Sequence, residues 1–265
     1  MNPRSLASRI RGVEVSYGLV IKMPAPALVE LAGHVGFDFA MLDTEHGIAD
    51  GHELEHHLRA ADAVGLDCIV RVGGHDSVEI LRALDAGAAG VVAPHVTNAA
   101  AAAAIVSASH YPPVGRRGFA VSTRAGRQGT VALAEHIESA LANTLVIAQV
   151  EDGEALDDID EIASTPSLDA IFIGPSDLSI SLGQPGNFHH PRVASAIERC
   201  AGGVLSAGNA ALCVIVSNVE EARAWERRGA RIVLFTVSSL LSACLRQIIE
   251  DLHAAKTDER ALSDA

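Results

Sequence analysis

Short apolar runs alternate with longer amphipathic segments along almost the whole chain of 265 residues. The short runs are continuously apolar rather than alternating, a pattern typical of parallel strands that are buried on both faces. They predict strands over residues 15–21, 39–42, 68–72, 90–93, 145–150, 170–173, 212–216 and 232–235. The sequence therefore indicates a repeated strand–helix unit.

Helical patterns fill the segments that separate these strands. They cover residues 26–35, 52–64, 77–85, 98–109, 135–143, 154–163, 193–207 and 219–228. Ser77 is placed to cap the third helix, because a serine hydroxyl accepts a hydrogen bond from a first-turn amide. Glycines follow several helix ends, where a residue with left-handed backbone terminates a helix: Gly36, Gly65, Gly87 and Gly229.

Eight strand–helix units in one chain of this length predict a closed (β/α)8 TIM barrel over residues 1–265, since such barrels typically take about 250 residues. An open, doubly wound sheet is the alternative. A further helix over residues 238–255 exceeds what the barrel needs, and we expect it to pack on a neighbouring subunit as an oligomerisation helix. Residues 256–265 are predicted to form a polar, frayed tail.

Composition and charge exclude several classes of protein. Apolar residues make up 49% of the chain and charged residues 20%, which is enough to bury a sizeable core. With 20 Lys and Arg against 33 Asp and Glu, the formal net charge of −13 argues against binding to nucleic acid.

The polar amino terminus and the lack of a long apolar run predict a cytoplasmic protein without membrane contact. The four cysteines lie far apart, which favours small buried side chains over disulfides.

Acidic residues follow two consecutive predicted strands, at the end of the barrel where active sites lie. Glu151 follows the fifth strand and Asp177 the sixth, so their carboxylates can lie side by side. Two oxygen ligands without a neighbouring His or Cys in the sequence favour Mg²⁺ or Mn²⁺ over Zn²⁺. Gly174 precedes Asp177, and a residue without a side chain lets backbone amides approach a bound carboxylate. The alternative is that both acids cap helices or lie in solvated loops.

A histidine and an arginine stand at the ends of the second and third strands. Asp43 precedes His46 by three residues, and a carboxylate that hydrogen-bonds an imidazole fixes its tautomer and raises its basicity. Arg71 needs an anion if it is buried. That anion is either a protein carboxylate, from Asp43 or Glu45, or an enolate oxygen that develops during a reaction.

A long glycine-rich loop after the fourth helix carries Arg116, Arg117 and Arg124. Loops of this length are often functional, so it is expected either to close over the mouth and contact an acidic substrate, or to be a solvated or subunit-contacting loop. The chain contains neither a P-loop nor a G-x-G-x-x-G motif after a strand, which argues against a nucleotide site.

These segments together resemble the HpcH/HpaI aldolase family, the metal-dependent class II pyruvate aldolases of the 4-hydroxy-2-oxoheptanedioate and 2-dehydro-3-deoxyglucarate type. The resemblance covers roughly residues 18–241. The matching motifs are residues 36–46, residues 111–118, residues 149–156 and, most specifically, the Phe-Ile-Gly-Pro-Ser-Asp-Leu-Ser segment of residues 172–179. His95 departs from the family, which usually has an apolar residue there, and the loop of residues 119–129 also differs.

The resemblance implies reversible cleavage of a 4-hydroxy-2-oxo acid to pyruvate, or a close 2-oxo acid, and an aldehyde through an enolate. It implies a homohexamer, a trimer of dimers that exchange the C-terminal helix, and a divalent Mg²⁺, Mn²⁺ or Co²⁺ ion. It implies that Glu151 and Asp177 bind the metal ion, that His46 is the base and is oriented by Asp43, and that Arg71 stabilises the enolate. It also implies that the substrate is bound by Gln149, Gly174 and Ser176 and, from a neighbouring subunit, by Asp85.

Two other functions fit the same residues. Oxaloacetate decarboxylation, or cleavage of a related acyl-CoA, would use the same enolate. A non-catalytic protein that binds oxo acids is the alternative from another class. The sequence leaves the acceptor aldehyde, the stereochemistry, the preferred metal and the pathway open.

Overall fold

Within residues 5–48 and 50–263, the part of the chain that the computed structural model describes, eight parallel strands close into a barrel. Each strand pairs with the next along the chain, and β8 pairs with β1. The strands are β1 Ser16–Ile21, β2 Phe39–Asp43, β3 Asp67–Arg71, β4 Gly90–Ala93, β5 Leu145–Val150, β6 Ala170–Ile173, β7 Ala211–Ile215 and β8 Ile232–Thr236. The predicted TIM barrel is confirmed, and the doubly wound sheet is wrong.

Helices surround the barrel and follow the strands as predicted. Their bounds are α1 Leu6–Arg11, α2 Pro26–Val35, α3 Gly51–Val64, α4 Ser77–Asp85, α5 Ala99–Ser109, α6 Leu133–Asn143, α7 Ala155–Ala163, α8 Pro175–Ser181, α9 Pro191–Ala207, α10 Val219–Arg227 and α11 Val237–Ser263. The prediction that Ser77 caps α4 is wrong, because Asp76 is the cap and accepts the Val78 amide at 2.6 Å. The sequence pattern missed α1 and α8.

Two apolar layers hold the fold together. One fills the space between the strands and the outer helices, and the other fills the barrel interior with side chains such as Phe39, Met41 and Ile147. Gly18 makes room for this interior, because a Cβ there would lie 2.3 Å from the Phe39 ring. The barrel is therefore a packed core that supports its rim rather than a pore.

The helix α1 closes the amino-terminal end of the barrel. Leu6, Ala7 and Ile10 are buried in the interior cluster, and Ile10 lies on the same face as the other two because it follows them by four and three residues. The Leu6 amide donates to Asp67 Oδ2 at 2.9 Å, and Arg11 pairs with Asp169 at 2.7 Å. With six residues, this helix is too short for its periodicity to stand out in the sequence.

The C-terminal helix is longer than predicted. Residues 256–263 continue α11 instead of forming a frayed tail, because alanine, lysine, glutamate and arginine in this stretch are strong helix formers; residues 264–265 lie outside the described part. Apolar side chains of α11 stay exposed in the single chain: Leu240, Leu241, Leu245, Ile248, Ile249 and Leu252. Over the described residues, α11 and the other helices lack the length or the apolar character that would let them span a bilayer.

Replacing Ile10 by alanine tests the role of α1 as the floor of the barrel. Ile10 is fully buried, so Ile10→Ala should lower the free energy of unfolding by about 2–5 kcal/mol through lost burial and a residual cavity. Denaturant titration would measure the loss. Val13→Ala is the matched control, because Val13 is 91% exposed and its truncation should change stability little. Equal stabilities of the two variants would contradict the role of α1.

Candidate active site

The carboxyl ends of the strands form a small cleft of about 120 Å³. Its walls bring together most of the predicted site residues, together with Lys22 from the end of β1: His46, Arg71, Gln149, Glu151, Gly174, Ser176 and Asp177. Asp43 is fully buried beneath the cleft, and Asp85 lies elsewhere. With Ile215 from β7 and Thr236 from β8, residues from seven of the eight strand ends therefore meet at one place.

Asp43 and Arg71 form a buried ion pair beneath the cleft. They are register partners on the neighbouring strands β2 and β3, so both side chains point to the same face. Arg71 Nε lies 3.0 Å from Asp43 Oδ1, and Nη2 lies 2.5 Å from Oδ2. Burial alone would raise the pKa of the Asp43 carboxyl, but the hydrogen bonds and charge of Arg71 outweigh it and hold that pKa below its usual value. The pair fixes a permanent cation at the cleft wall.

The predicted hydrogen bond between the His46 ring and the Asp43 carboxylate is wrong. Both Asp43 oxygens accept hydrogen bonds from Arg71. Asp43 Oδ1 also accepts a hydrogen bond from the backbone amide of His46 at 3.2 Å, but the His46 ring is not its partner. The His46 side chain is 54% exposed, with Nε2 3.9 Å from Glu45 Oε1. Asp43 thus shapes the turn that carries His46 and leaves the imidazole free at the rim of the cleft.

Glu151 is the deepest acid of the cleft, with 1% of its surface exposed. Its Oε1 accepts the backbone amide of His95 at 3.1 Å, and its Oε2 accepts Gln149 Nε2 in a short hydrogen bond. Burial raises the pKa of the Glu151 carboxyl, and the nearby charge of Asp177 raises it further. A group in this position gains stability from added positive charge.

The absence of a side chain at Gly174 leaves room for the side chain of Glu151. A Cβ at Gly174 would lie 2.5 Å from Glu151 Oε2 and 2.8 Å from Glu151 Cβ. The glycine was predicted to let a ligand approach the backbone, and the structure adds that it lets the Glu151 side chain cross the end of β6. Pro175 then begins α8, which carries Asp177 in its first turn.

Sequence reasoning did not place Lys22 in the site, and it also missed His95, which lies beside Glu151. His95 follows β4 with a backbone φ of 55°, a conformation that non-glycine residues rarely adopt. Glu45, His95 and Glu151 each have a ligand atom within 4.8 Å of the others, a group that could hold a metal ion. The available signal was its position after a strand end, where the resemblance calls for an apolar residue.

The basic loop does not cover the mouth of the barrel in this chain. Arg117 Nη2 lies 2.7 Å from Asp85 Oδ1, and Arg124 pairs with Asp62. Asp62 and Asp85 lie in the last turns of α3 and α4, which lead back to the amino-terminal ends of the strands. The interpretation as a lid is therefore wrong for Arg117 and Arg124, while Arg116 is exposed. A role of Asp85 in a neighbouring subunit stays a prediction.

The buried cysteines do not provide a thiol nucleophile for the cleft. Cys68, Cys200 and Cys213 are buried as predicted, whereas Cys244 is exposed on α11. Burial raises the pKa of the Cys200 thiol to about 12 and that of the Cys213 thiol well above its ordinary value. Buried thiols of this kind are not nucleophiles at neutral pH.

Comparisons with known proteins show which family the chain resembles along most of its length. A family model described as HpcH/HpaI aldolase/citrate lyase matches residues 17–243. A 2-dehydro-3,6-dideoxy-6-sulfogluconate aldolase from Pseudomonas putida is 40% identical over 187 residues, which cover 69% of this chain and 72% of that protein. A 2-keto-3-deoxy-L-rhamnonate aldolase from Escherichia coli is 35% identical over 257 residues, 95% of this chain and 94% of that protein.

Solved structures agree as well. An HpcH/HpaI aldolase/citrate lyase family protein from Burkholderia cenocepacia J2315 superposes with a TM-score of 0.87 at 32% identity. The alignment covers 94% of this chain and 98% of the other. The barrel and its order of strands are therefore those of a known group of proteins.

Replacing Asp43 by asparagine should destabilise the protein strongly, because it removes the carboxylate that pairs with both Nε and Nη2 of the buried Arg71 cation and leaves only Glu45, 3.2 Å from Nε. The expected loss is about 3–5 kcal/mol of unfolding free energy, measured by denaturant titration. Since the folded-state pKa of Asp43 is lowered, its contribution is present above the ordinary aspartate pKa and is lost as pH falls through the folded value. Asp43→Asn should therefore also weaken the acid dependence of stability.

The exposed ion pair of Asp160 with Arg199 provides the control for this prediction. Asp160→Asn removes a carboxylate of the same kind from a solvated pair, so stability should change little. Equal effects of the two substitutions would contradict the importance of the buried pair.

Proposed function

The chain belongs to the HpcH/HpaI aldolase/citrate lyase family, and from that membership we propose that it is a class II, metal-dependent aldolase. It reversibly cleaves a 4-hydroxy-2-oxo acid to pyruvate, or a close 2-oxo acid, and an aldehyde. One observation carries the proposal: an exposed imidazole, a fixed guanidinium and two neighbouring acids line a single cleft at the mouth of the barrel. The aldolases at 35–40% identity support the reaction class.

The donor set of the cleft fits a divalent cation. Negative charge exceeds permanent positive charge among the described residues there: Asp43, Glu45, Glu151, Asp152 and Asp177 against Arg71 and Lys22. Glu45 Oε2 is buried without a hydrogen-bond partner, and the cation beside it, Arg71 with Nε at 3.2 Å, is shared with Asp43. We assign Glu151 and Asp177 as ligands of Mg²⁺, Mn²⁺ or Co²⁺, because carboxylate oxygens suit these ions. Such an ion would polarise the ketone of the oxo acid as a Lewis acid.

Residues at the end of β6, together with Gln149, would bind the oxo acid. Ser176 lies in the first turn of α8, where its backbone amide lacks a partner within the helix and could donate to a substrate carboxylate. The Gly174 amide already donates to Val150 O at 3.0 Å, so Gly174 would contribute by the space that its missing side chain leaves for the ligand. Gln149 connects the two sides of the site, since its Oε1 lies 3.4 Å from Arg71 Nη1 and its Nε2 donates to Glu151. These contacts would orient the ketone towards Arg71.

His46 transfers the proton, and Arg71 stabilises the negative charge that develops. In cleavage, His46 takes the proton of the C4 hydroxyl directly or through a water, the C3–C4 bond breaks, and its electron pair moves to the ketone oxygen as an enolate. The aldehyde leaves, and protonation at C3 then gives the 2-oxo acid. Arg71 stabilises the enolate oxygen, because Asp43 holds its guanidinium in place before charge develops.

The rival functions differ in what they require. Oxaloacetate decarboxylation would use the same enolate without an aldehyde, so it is distinguished by assaying oxaloacetate beside 4-hydroxy-2-oxo acids. A protein that only binds oxo acids would need no base. The free His46 ring at the rim favours catalysis over this last alternative.

The assembly that we propose is a homohexamer, a trimer of dimers. The exposed apolar side chains of α11 would be covered by a neighbouring copy, because a single chain leaves them in water. Asp85 would then reach the site of a neighbouring subunit. A cytoplasmic location stays a prediction.

Exchange of the C3 protons of pyruvate in heavy water tests enolate formation without knowledge of the aldehyde. The protein with Mn²⁺ should exchange these protons, and the metal-stripped protein should not. His46→Ala should lower the rate by roughly 10²- to 10⁴-fold, as expected when a general base is lost. Glu151→Gln should lower both the rate and the affinity for Mn²⁺.

The control is His52→Ala, which removes an exposed histidine on α3 without touching the cleft. Its exchange rate should match that of the unchanged protein. Pyruvate that binds with Mn²⁺ but never exchanges would overturn the proposed catalysis, and full exchange by His46→Ala would remove His46 from the mechanism.

A further inference from the structure

The backbone of His95 is held in a strained conformation that faces the cleft. His95 has a φ of 55°, a conformation that non-glycine residues rarely adopt, and such residues concentrate at functional sites. The conformation directs the His95 amide to Glu151 Oε1 at 3.1 Å and brings ring atom Nδ1 to 3.7 Å from the same oxygen. Backbone and ring of His95 thus turn towards one carboxylate.

A second carboxylate fixes the ring of His95. Its Nδ1 lies 3.0 Å from Asp152 Oδ2, so Nδ1 carries the proton and donates it. When the ring is neutral, Nε2 keeps its lone pair and can bind a metal ion. An imidazole whose one nitrogen donates to a carboxylate while the other is free is the usual arrangement of a histidine metal ligand.

The Glu45 carboxylate lies near His95 Nε2. Its Oε1 lies 3.7 Å from His95 Nε2, too far for a hydrogen bond. Its Oε2 is buried and accepts no hydrogen bond, because the single proton of the neighbouring Arg71 Nε goes to Asp43. The side chain of Glu45 is 10% exposed. Arg71 Nε lies 3.2 Å from Glu45 Oε2, but this guanidinium donates its hydrogen bonds to Asp43, so one cation is shared between two carboxylates and Glu45 can accept a further one.

We propose that His95 is a nitrogen ligand of the divalent ion at Glu151, with Glu45 as a further ligand. Their ligand atoms already lie within 4.8 Å of one another, and modest closure brings them around one ion. His95 follows β4 while Asp177 follows β6, so the two approach Glu151 from opposite neighbouring strands. The inference rests on the proposed function only in placing an ion at Glu151.

A nitrogen ligand changes which metals the site prefers. Imidazole suits the later transition metals, for which the affinity of a nitrogen-containing site rises from Mn²⁺ to Co²⁺, whereas Mg²⁺ favours oxygen ligands and retained waters. The sequence pattern, with carboxylates alone in view, favoured Mg²⁺ or Mn²⁺. With His95 included, the chain should bind Co²⁺ more tightly than Mg²⁺ by a margin that depends on this ring.

Electron spin echo envelope modulation of the Mn²⁺-loaded protein tests the ligand directly, since it detects nitrogen nuclei bonded to the ion. In a nitrogen-free buffer without substrate, the unchanged protein should show nitrogen modulation. His95→Asn should lose it, and asparagine tolerates the left-handed backbone of this position. His95→Gly is a second variant that keeps the backbone unstrained.

His46→Leu is the matched control, because His46 Nε2 is the other imidazole nitrogen near Glu45 Oε1, at 3.9 Å. This variant should keep the nitrogen modulation. A signal that disappears in His46→Leu and persists in both His95 variants would overturn the assignment, as would an unchanged protein without nitrogen modulation.

Calorimetric titration with Co²⁺ and with Mg²⁺ gives an independent measurement. His95→Asn should weaken Co²⁺ binding at least about tenfold and Mg²⁺ binding less. Equal weakening for both ions, or none, would contradict a nitrogen ligand.

The same samples separate this inference from the proposed function. If pyruvate exchanges its C3 protons with Mn²⁺ but nitrogen modulation is absent, the aldolase proposal survives and the His95 ligand is rejected. If the modulation depends on His95 but pyruvate does not exchange, the ligand survives and the catalysis is rejected.

Discussion

Crowding of carboxylates at one rim of the barrel is the constraint on which the site depends. The parallel strands bring the ends of β2, β5 and β6 together, and each delivers an acid. Arg71 neutralises Asp43 beneath the cleft, but Glu45 keeps a buried oxygen without a hydrogen bond and the pKa of Glu151 is raised. A cation in the cleft would relieve both, and the proposed chemistry uses the same charge.

The barrel itself could be predicted from the sequence in detail. Strands buried on both faces must be apolar throughout, so their bounds stand out, and the glycines that end helices mark the units between them. The strand-end rule then found Glu151, Asp177, His46 and Arg71, because topology alone brings such residues to one mouth. The short helix α1 escaped because six residues carry too little periodicity.

Side-chain partners were harder to predict than positions. Asp43 is close to His46 in sequence, but the register of β2 and β3 sets it beside Arg71, and a bidentate ion pair is stronger than a bond to a neutral ring. His95 depends on a rare backbone conformation that a sequence pattern does not reveal. The basic loop packs on acids at the opposite end of the barrel because Asp85 and Asp62 neutralise its arginines there.

The central claim is that a cation held by Glu151 and Asp177 tethers an oxo acid between Arg71 and His46. Anomalous diffraction from crystals grown with Mn²⁺ and pyruvate tests it most directly, because the manganese signal locates the ion without assumptions about its ligands. The account predicts a peak bonded to both carboxylates, with pyruvate beside it and its ketone facing Arg71. A peak elsewhere, or carboxylates that point to different places around it, would contradict the account.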